Sequence, residues 1–223
     1  MYNKLKKVPK IFILLFFSFT ILSLAQEDKS VKTVKVACVG NSITSGSKNK
    51  EDAAYPAFLG KLLGDAYYVK NFGVSGRTLL RNGDYPYWKE KTYQVALEFN
   101  PDIVIIKLGT NDSKPQNWKY KNEFEKDYSD LVESFLSLPS NPKIFICKPV
   151  PAFKVMWGIR DSIIVNDIIP MIEKIGKEKN LDVIDLYRVL TGKEHLFPDG
   201  IHPNEEGAAL MAKEIYKAIT GKK

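Results

Sequence analysis

Five short runs of β-branched and other apolar residues punctuate the chain, at Val34–Val39, Tyr67–Phe72, Ile103–Leu108, Lys143–Cys147 and Val183–Leu186. Longer stretches with helical spacing of apolar positions lie near 53–63, 88–99, 122–138 and 163–179, and a last one runs over 204–219. Strands separated by helical crossovers predict a parallel sheet covered on both faces. Val34–Val39 and Ile103–Leu108 are almost wholly apolar, as strands buried on both sides should be. No internal repeat or low-complexity linker interrupts the pattern. The expected fold is therefore α/β: one three-layer α/β/α sandwich around a mostly parallel five-stranded sheet.

The N-terminal segment departs from this pattern. Residues 1–25 comprise a head with Lys4, Lys6, Lys7 and Lys10, an apolar run from Ile11 to Leu24, and the small-residue ending Ser23-Leu24-Ala25. This is the layout of a secretory signal peptide cleaved after Ala25. The rival is a membrane anchor, but the apolar run of 14 residues falls short of the roughly 20 needed to cross a bilayer. No Cys follows it to carry a lipid. The expectation is a secreted or periplasmic protein whose mature chain, residues 26–223, forms one domain without stable membrane insertion.

Composition agrees. With 44% hydrophobic and 26% charged residues, the chain is neither disordered nor a multi-span membrane protein. Four of its seven net positive charges sit in the N-terminal head. The remainder carries no basic stripe of the kind that binds nucleic acid. Its two cysteines, Cys38 and Cys147, each lie inside an apolar run. Secretion permits a disulfide, but two cysteines are no disulfide scaffold, and two buried free thiols are the plainer expectation.

In a doubly wound sheet, ligands bind beyond the carboxyl ends of the strands, so chemically useful residues should follow strands. The first run leads into Gly40-Asn41-Ser42-Ile43-Thr44-Ser45-Gly46. Neither the phosphate-loop nor the dinucleotide spacing of glycines fits it, which leaves a helix cap at Ser42 or Thr44, or a placed hydroxyl. The second run leads into Asn71–Thr78, whose glycines let the backbone turn and expose an N–H. The third ends in Leu108-Gly109-Thr110-Asn111-Asp112. Asn111 can aim its amide into a site or merely bond local backbone. Before the last helical stretch stands Pro198-Asp199-Gly200-Ile201-His202-Pro203, with Asp199 and His202 three apart across a glycine-containing turn. Pro203 suits the first position of a helix. A hydroxyl, a backbone N–H, a side-chain amide and an Asp/His pair are together the parts needed for acyl transfer.

In that order these blocks resemble the SGNH (GDSL-type) hydrolase superfamily, which has a flavodoxin-like α/β/α fold. The resemblance implies Ser42 as nucleophile, His202 as base and Asp199 as its partner. It also implies an oxyanion hole of Ser42, Gly76 (rather than Gly73) and Asn111. Asn41 is a departure, because many members carry Asp there. Within the superfamily the chain is most similar to secreted bacterial carbohydrate acetylesterases, described as sialate O-acetylesterases or acetylxylan esterases, particularly over 107–119 and 149–161. The partner so implied is an acetylated sugar or glycan. Arg77, Trp88, Trp118, Trp157 and Arg160 lie in or beside loops after strands, where Trp could face a sugar and Arg a carboxylate. A place in the core or at the rim is the alternative for each. Two other functions stay open: a lysophospholipase or thioesterase of the same superfamily, and a glycan-binding module without catalysis. This chemistry calls for no cofactor, and two separated histidines, His195 and His202, make no recognisable metal site.

Overall fold

The period-two alternation of the strands divides the protein into two cores, one on each side of the sheet. The structure, a computed structural model, describes residues 33–46 and 53–222; the proposed signal peptide of residues 1–25 lies outside them. In β1 (Val34–Gly40) Ala37 and Val39 point to one face while Val36 and Cys38 point to the other. In β3 (Ile103–Lys107) Val104 and Ile106 oppose Ile105, and in β4 (Lys143–Cys147) Ile144 and Ile146 oppose Phe145 and Cys147. Each strand therefore supplies apolar side chains to both sides. Two strands, β2 (Tyr67–Gly73) and β5 (Asp182–Ile184), form the edges.

Helices cover each face with the stripe that their own period exposes. One face receives α3 (Lys91–Glu98), α5 (Phe124–Leu136) and α7 (Ile169–Glu178) through Ala96, Leu131, Phe135, Ile172 and Ile175. The other receives α2 (Tyr55–Leu63), α8 (Leu186–Leu190) and α9 (Glu205–Thr220) through Tyr55, Leu59, Leu190, Met211 and Ile215. Three short helical segments, α1 (Ser42–Ser45), α4 (Pro115–Trp118) and α6 (Asp161–Ile163), lie in connections. Among the described residues, no helix is long and apolar enough to cross a membrane.

All strand pairs are parallel, in the order β2-β1-β3-β4-β5. The chain leaves β1 towards β2 on one side and reaches β3 on the other. The crevice between the loops after β1 and β3 is thus the switch point where doubly wound folds bind ligands. Gly40, the last residue of β1, pairs with Gly73 of β2 and Lys107 of β3, so three of the four blocks leave the sheet side by side.

The structure differs from the expected elements in four places, each with a local cause. The helix expected over 88–99 is one 3-10 turn (Tyr87–Lys89) and then α3, separated by Glu90 in extended conformation; its carboxylate is held by Arg77 at 2.7 Å. The helix expected over 163–179 passes through a π-helical turn at Ile164–Ile168. Pro170 follows, with no N–H for the carbonyl four residues back, and a widened turn accommodates this defect. Leu186 begins α8 rather than ending β5, because Asp185 caps that helix by accepting from the Arg188 N–H at 2.9 Å. Finally, α9 starts at Glu205 under an Asn204 cap, so Pro203 is not its first residue. Cys38 and Cys147 are free and buried.

Candidate active site

Asn41, rather than Ser42 or Thr44, caps α1: its Oδ1 accepts from the Ile43 N–H at 3.2 Å. Ser42 becomes the first helical residue and its hydroxyl is left for another partner. That partner is His202, whose Nε2 lies 2.8 Å from Ser42 Oγ although 160 residues separate the two in sequence. The other ring nitrogen, Nδ1, lies 2.7 Å from Asp199 Oδ2. Asp199 Oδ1 accepts from the backbone N–H groups of Ile201 and His202 at 2.8 and 2.7 Å. Burial pushes this carboxyl up, but the bonds from His202 and Ile201 outweigh it and hold Asp199 below its ordinary value. An ionised Asp199 accepts only, which assigns the ring proton to Nδ1 and turns the bare Nε2 lone pair towards the Ser42 hydroxyl. Gly200 makes the turn possible. Its φ is +80°, and a Cβ there would come within 2.7 Å of the Lys154 side chain.

The second and third blocks are pinned against α1. Asn71 Nδ2 donates to the Thr44 carbonyl at 2.8 Å and to that of Ser45 at 3.3 Å, taking up carbonyls that the short helix leaves unpaired. Gly73 passes so close that a Cβ would meet the Ser45 nitrogen at 2.2 Å, so packing dictates glycine there. Gly76, by contrast, faces open space with φ +81°. Its N–H finds no backbone acceptor among the described residues. The Asn111 amide is buried and donates to the Arg77 carbonyl at 3.1 Å, which uses one of its two N–H bonds. Ser42, Gly76, Asn111, Trp157, Asp199 and His202 all line one cavity of about 680 Å³.

Of the five side chains expected to meet a sugar, one lines this cavity. Trp157 is 57% exposed and its ring centroid lies 5.6 Å from that of His202. Its backbone sits at φ +53°, an unusual conformation for a bulky residue. Trp118 is in the core and donates from Nε1 to Asp167 at 2.9 Å. Trp88 donates to the Leu79 carbonyl at 2.7 Å and carries the Arg81 guanidinium 3.8 Å above its ring. Arg77 spends its fork on Glu90 and on the Ser75 carbonyl. Arg160 anchors to Ser113 through both its backbone N–H and Nε. These four brace the loops around the cavity instead of lining it. The arginine fork expected for an acidic sugar is engaged within the chain.

Two buried charged residues at and just after the end of β3 escaped the sequence reading. Asp112 accepts from the Leu79 and Leu80 N–H groups at 3.1 and 2.8 Å and so ties the Gly76 loop to the Asn111 turn. Burial pushes its carboxyl up to about 6 against those bonds. Lys107 is fully buried at the end of β3. A charged residue beside an apolar run was the available signal, but the partners of Asp112 are more than 30 residues away in sequence.

The chain is similar to known proteins in both sequence and fold. The chain is 44% identical over 206 residues to an acetylxylan esterase of Xylanibacter ruminicola, with 83% of this chain and 43% of that protein covered; it spans less than half the length of that relative. Among solved structures, a carbohydrate acetylesterase of Sinorhizobium meliloti superposes with a TM-score of 0.70 at 19% identity, covering 85% of this chain and 99% of the other. An acetyl xylan esterase gives 0.66 at 22%, covering 83% and 100%. Those two likenesses establish the fold. The profile of the GDSL-like lipase/acylhydrolase family matches residues 38–210, a span that includes Ser42, Gly76, Asn111, Asp199 and His202, and the chain belongs to that family.

Proposed function

We propose that this protein is a serine esterase that removes O-acetyl groups from carbohydrate through an acyl-enzyme. The observation that carries the proposal is the unbroken bonding line from Ser42 Oγ through His202 to Asp199, at 2.8 and 2.7 Å. In this mechanism Ser42 Oγ attacks the acetyl carbonyl carbon as its proton passes to His202 Nε2. Asp199 holds the ring and stabilises the imidazolium. The carbonyl oxygen gathers negative charge facing the Ser42 and Gly76 N–H groups and the free amide hydrogen of Asn111. Collapse breaks the bond to the sugar oxygen, which leaves with the proton from His202. Water then attacks the acetyl-enzyme with His202 again as base, releasing acetate and restoring the serine.

Family membership and the similarity to an acetylxylan esterase support acetyl as the acyl group and carbohydrate as the alcohol. Trp157 supports the same substrate class, because an exposed indole beside the base offers a flat apolar surface to a sugar ring. Acetate release from acetylated xylan and from other acetylated glycans tests the proposal. Nitrophenyl acetate compared with a long-chain nitrophenyl ester separates it from a lysophospholipase or thioesterase. Hydrolysis confined to the long-chain ester would overturn it. Passage of residues 1–25 as a signal peptide, and hence secretion, belongs to the same proposal and is checked by sequencing the N-terminus of the exported protein.

Two substitutions probe separate parts. Asn111→Ala should lower kcat about 10²–10³-fold, the effect of losing one oxyanion donor, with a smaller change in KM. Trp157→Ala should raise KM for an acetylated oligosaccharide about tenfold, equivalent to about 1.4 kcal/mol, and leave KM for nitrophenyl acetate nearly unchanged. An equal effect on both esters would remove Trp157 from sugar binding.

A further inference from the structure

Behind the nucleophile turn lies a lysine that the mechanism above does not use. Lys107 is the last residue of β3 and has no exposed surface. Its Nζ donates to Thr110 Oγ1 at 3.1 Å and, more weakly, to Asn41 Oδ1 at 3.4 Å. Both acceptors are neutral, and among the described residues no carboxylate pairs with the amine. The partners are the point of interest. Asn41 caps the helix that begins with Ser42, and Thr110 immediately precedes Asn111. One amine thus clasps the turn that carries the nucleophile to the turn that carries the amide donor. The Nδ2 of Asn41, also buried, has no partner, so this corner holds more donors than acceptors.

We propose that Lys107 is a positioning residue that fixes Ser42 relative to Asn111 through two neutral acceptors, without a counter-charge. The inference rests on the esterase reading of Ser42. An ammonium without a counter-charge is costly to bury, whereas a neutral amine at the same place costs little. Burial accordingly brings this lysine down to about 7. The Cys147 thiol of β4 would raise it if ionised, but burial pushes that thiol up to about 12, so it supplies no counter-charge at neutral pH. Cys38 and Tyr55 belong to the same core on that face, and burial raises both of them too. With Asp in place of Asn41 the corner would become an ion pair and would hold the lysine charged.

The test uses the full chain with Lys107→Met, Asn41→Asp and Ser42→Ala measured beside the wild type. Lys107→Met is expected to lower kcat on nitrophenyl acetate about 10–100-fold, as a small misplacement of reacting groups does, with KM changed less than about threefold. Stability gives an independent reading. The folded lysine releases its proton near 7 and the unfolded one near 10.5, so the unfolded state binds more protons between these values. Wild-type stability should therefore gain a contribution from this group as pH rises from 7 to 10.5. Lys107→Met should lack that contribution. So should Asn41→Asp, in which the lysine is still present but held charged by the new carboxylate; this slope reads the charge of the lysine, and kcat reads its positioning role. Unchanged kcat in folded Lys107→Met would overturn the proposal, as would an unchanged alkaline stability slope in Asn41→Asp. If Lys107→Met fails to fold, Thr110→Val, which removes the acceptor at 3.1 Å, takes its place, and unchanged kcat in that variant would overturn the proposal. Activity lost in Ser42→Ala but unaffected by Lys107→Met would sink this inference and leave the esterase standing; wild-type activity insensitive to Ser42→Ala would sink the esterase reading itself.

Discussion

Replacing Ser42 by alanine should reduce kcat on nitrophenyl acetate by about 10⁴–10⁶-fold, the range expected when a nucleophile that works as one unit with its base is removed. The residue left behind has the aligned amide donors and the His202–Asp199 pair, so a small rate above that of water should persist. The fold should survive, and the structure says why. The cap of α1 is Asn41, whose side chain accepts the Ile43 N–H, so removing the Ser42 hydroxyl leaves the helix start capped. Alanine is also the best helix former for that first position. Stability should change by no more than about 1 kcal/mol, the net worth of the one hydrogen bond to His202 that is lost. A matched pair of measurements checks this: turnover against thermal melting, with fluorophosphonate labelling to report the serine. Undiminished hydrolysis by the folded variant would exclude Ser42 as nucleophile.

Asp199→Asn should cost up to about 10⁴-fold in kcat while leaving the turn intact. An asparagine keeps an oxygen for the N–H groups of Ile201 and His202, the bonds that shape the loop. Its other terminus is an N–H donor set 2.7 Å from His202 Nδ1, where the wild type has an acceptor. The imidazole must then carry its proton on Nε2, and a protonated Nε2 cannot take the proton of Ser42. The loss is thus one of tautomer, not of position, and should be relieved little by raising substrate concentration. Asp199→Asn should also alter acid stability. The native carboxyl sits below its ordinary 3.8, so the unfolded state binds more protons as the pH falls through that value. The wild type keeps this stabilisation above about 3.8 and loses it on further acidification; the variant should lack that part of the acid limb. An acid-unfolding series on both proteins measures it.

Much of the frame was legible because it depends on near neighbours in sequence. Lys143–Cys147 is a strand with the bounds expected, and Ile103–Lys107 differs from expectation by one residue; in each, the alternation that marks a strand also assigns its two faces. Helix positions were less secure wherever a partner distant in sequence intervened. Glu90 interrupts a helical stretch to meet Arg77, and Asp185, where a strand was expected to continue, holds Lys148 at 2.7 Å. Trp118 and Arg160 looked like ligand contacts for the same reason. Their loops reach the mouth of the sheet, but the side chains turn inwards to Asp167 and Ser113.

The amino-acid order by itself determined the layered parallel sheet and the four blocks of chemistry, because strand and helix periods and turn residues act over a few positions. It also determined that three of those blocks follow strands, and hence that these three lie at one end of the sheet. Only the tertiary structure decided that Ser42 bonds His202 across 160 residues, that Asn41 is the cap, that Trp157 alone of the five candidate sugar contacts lines the cavity, and that a buried lysine joins two of the turns. Such choices depend on which long-range partner is within about 3 Å once the chain is packed, and spacing along the chain carries no record of that distance.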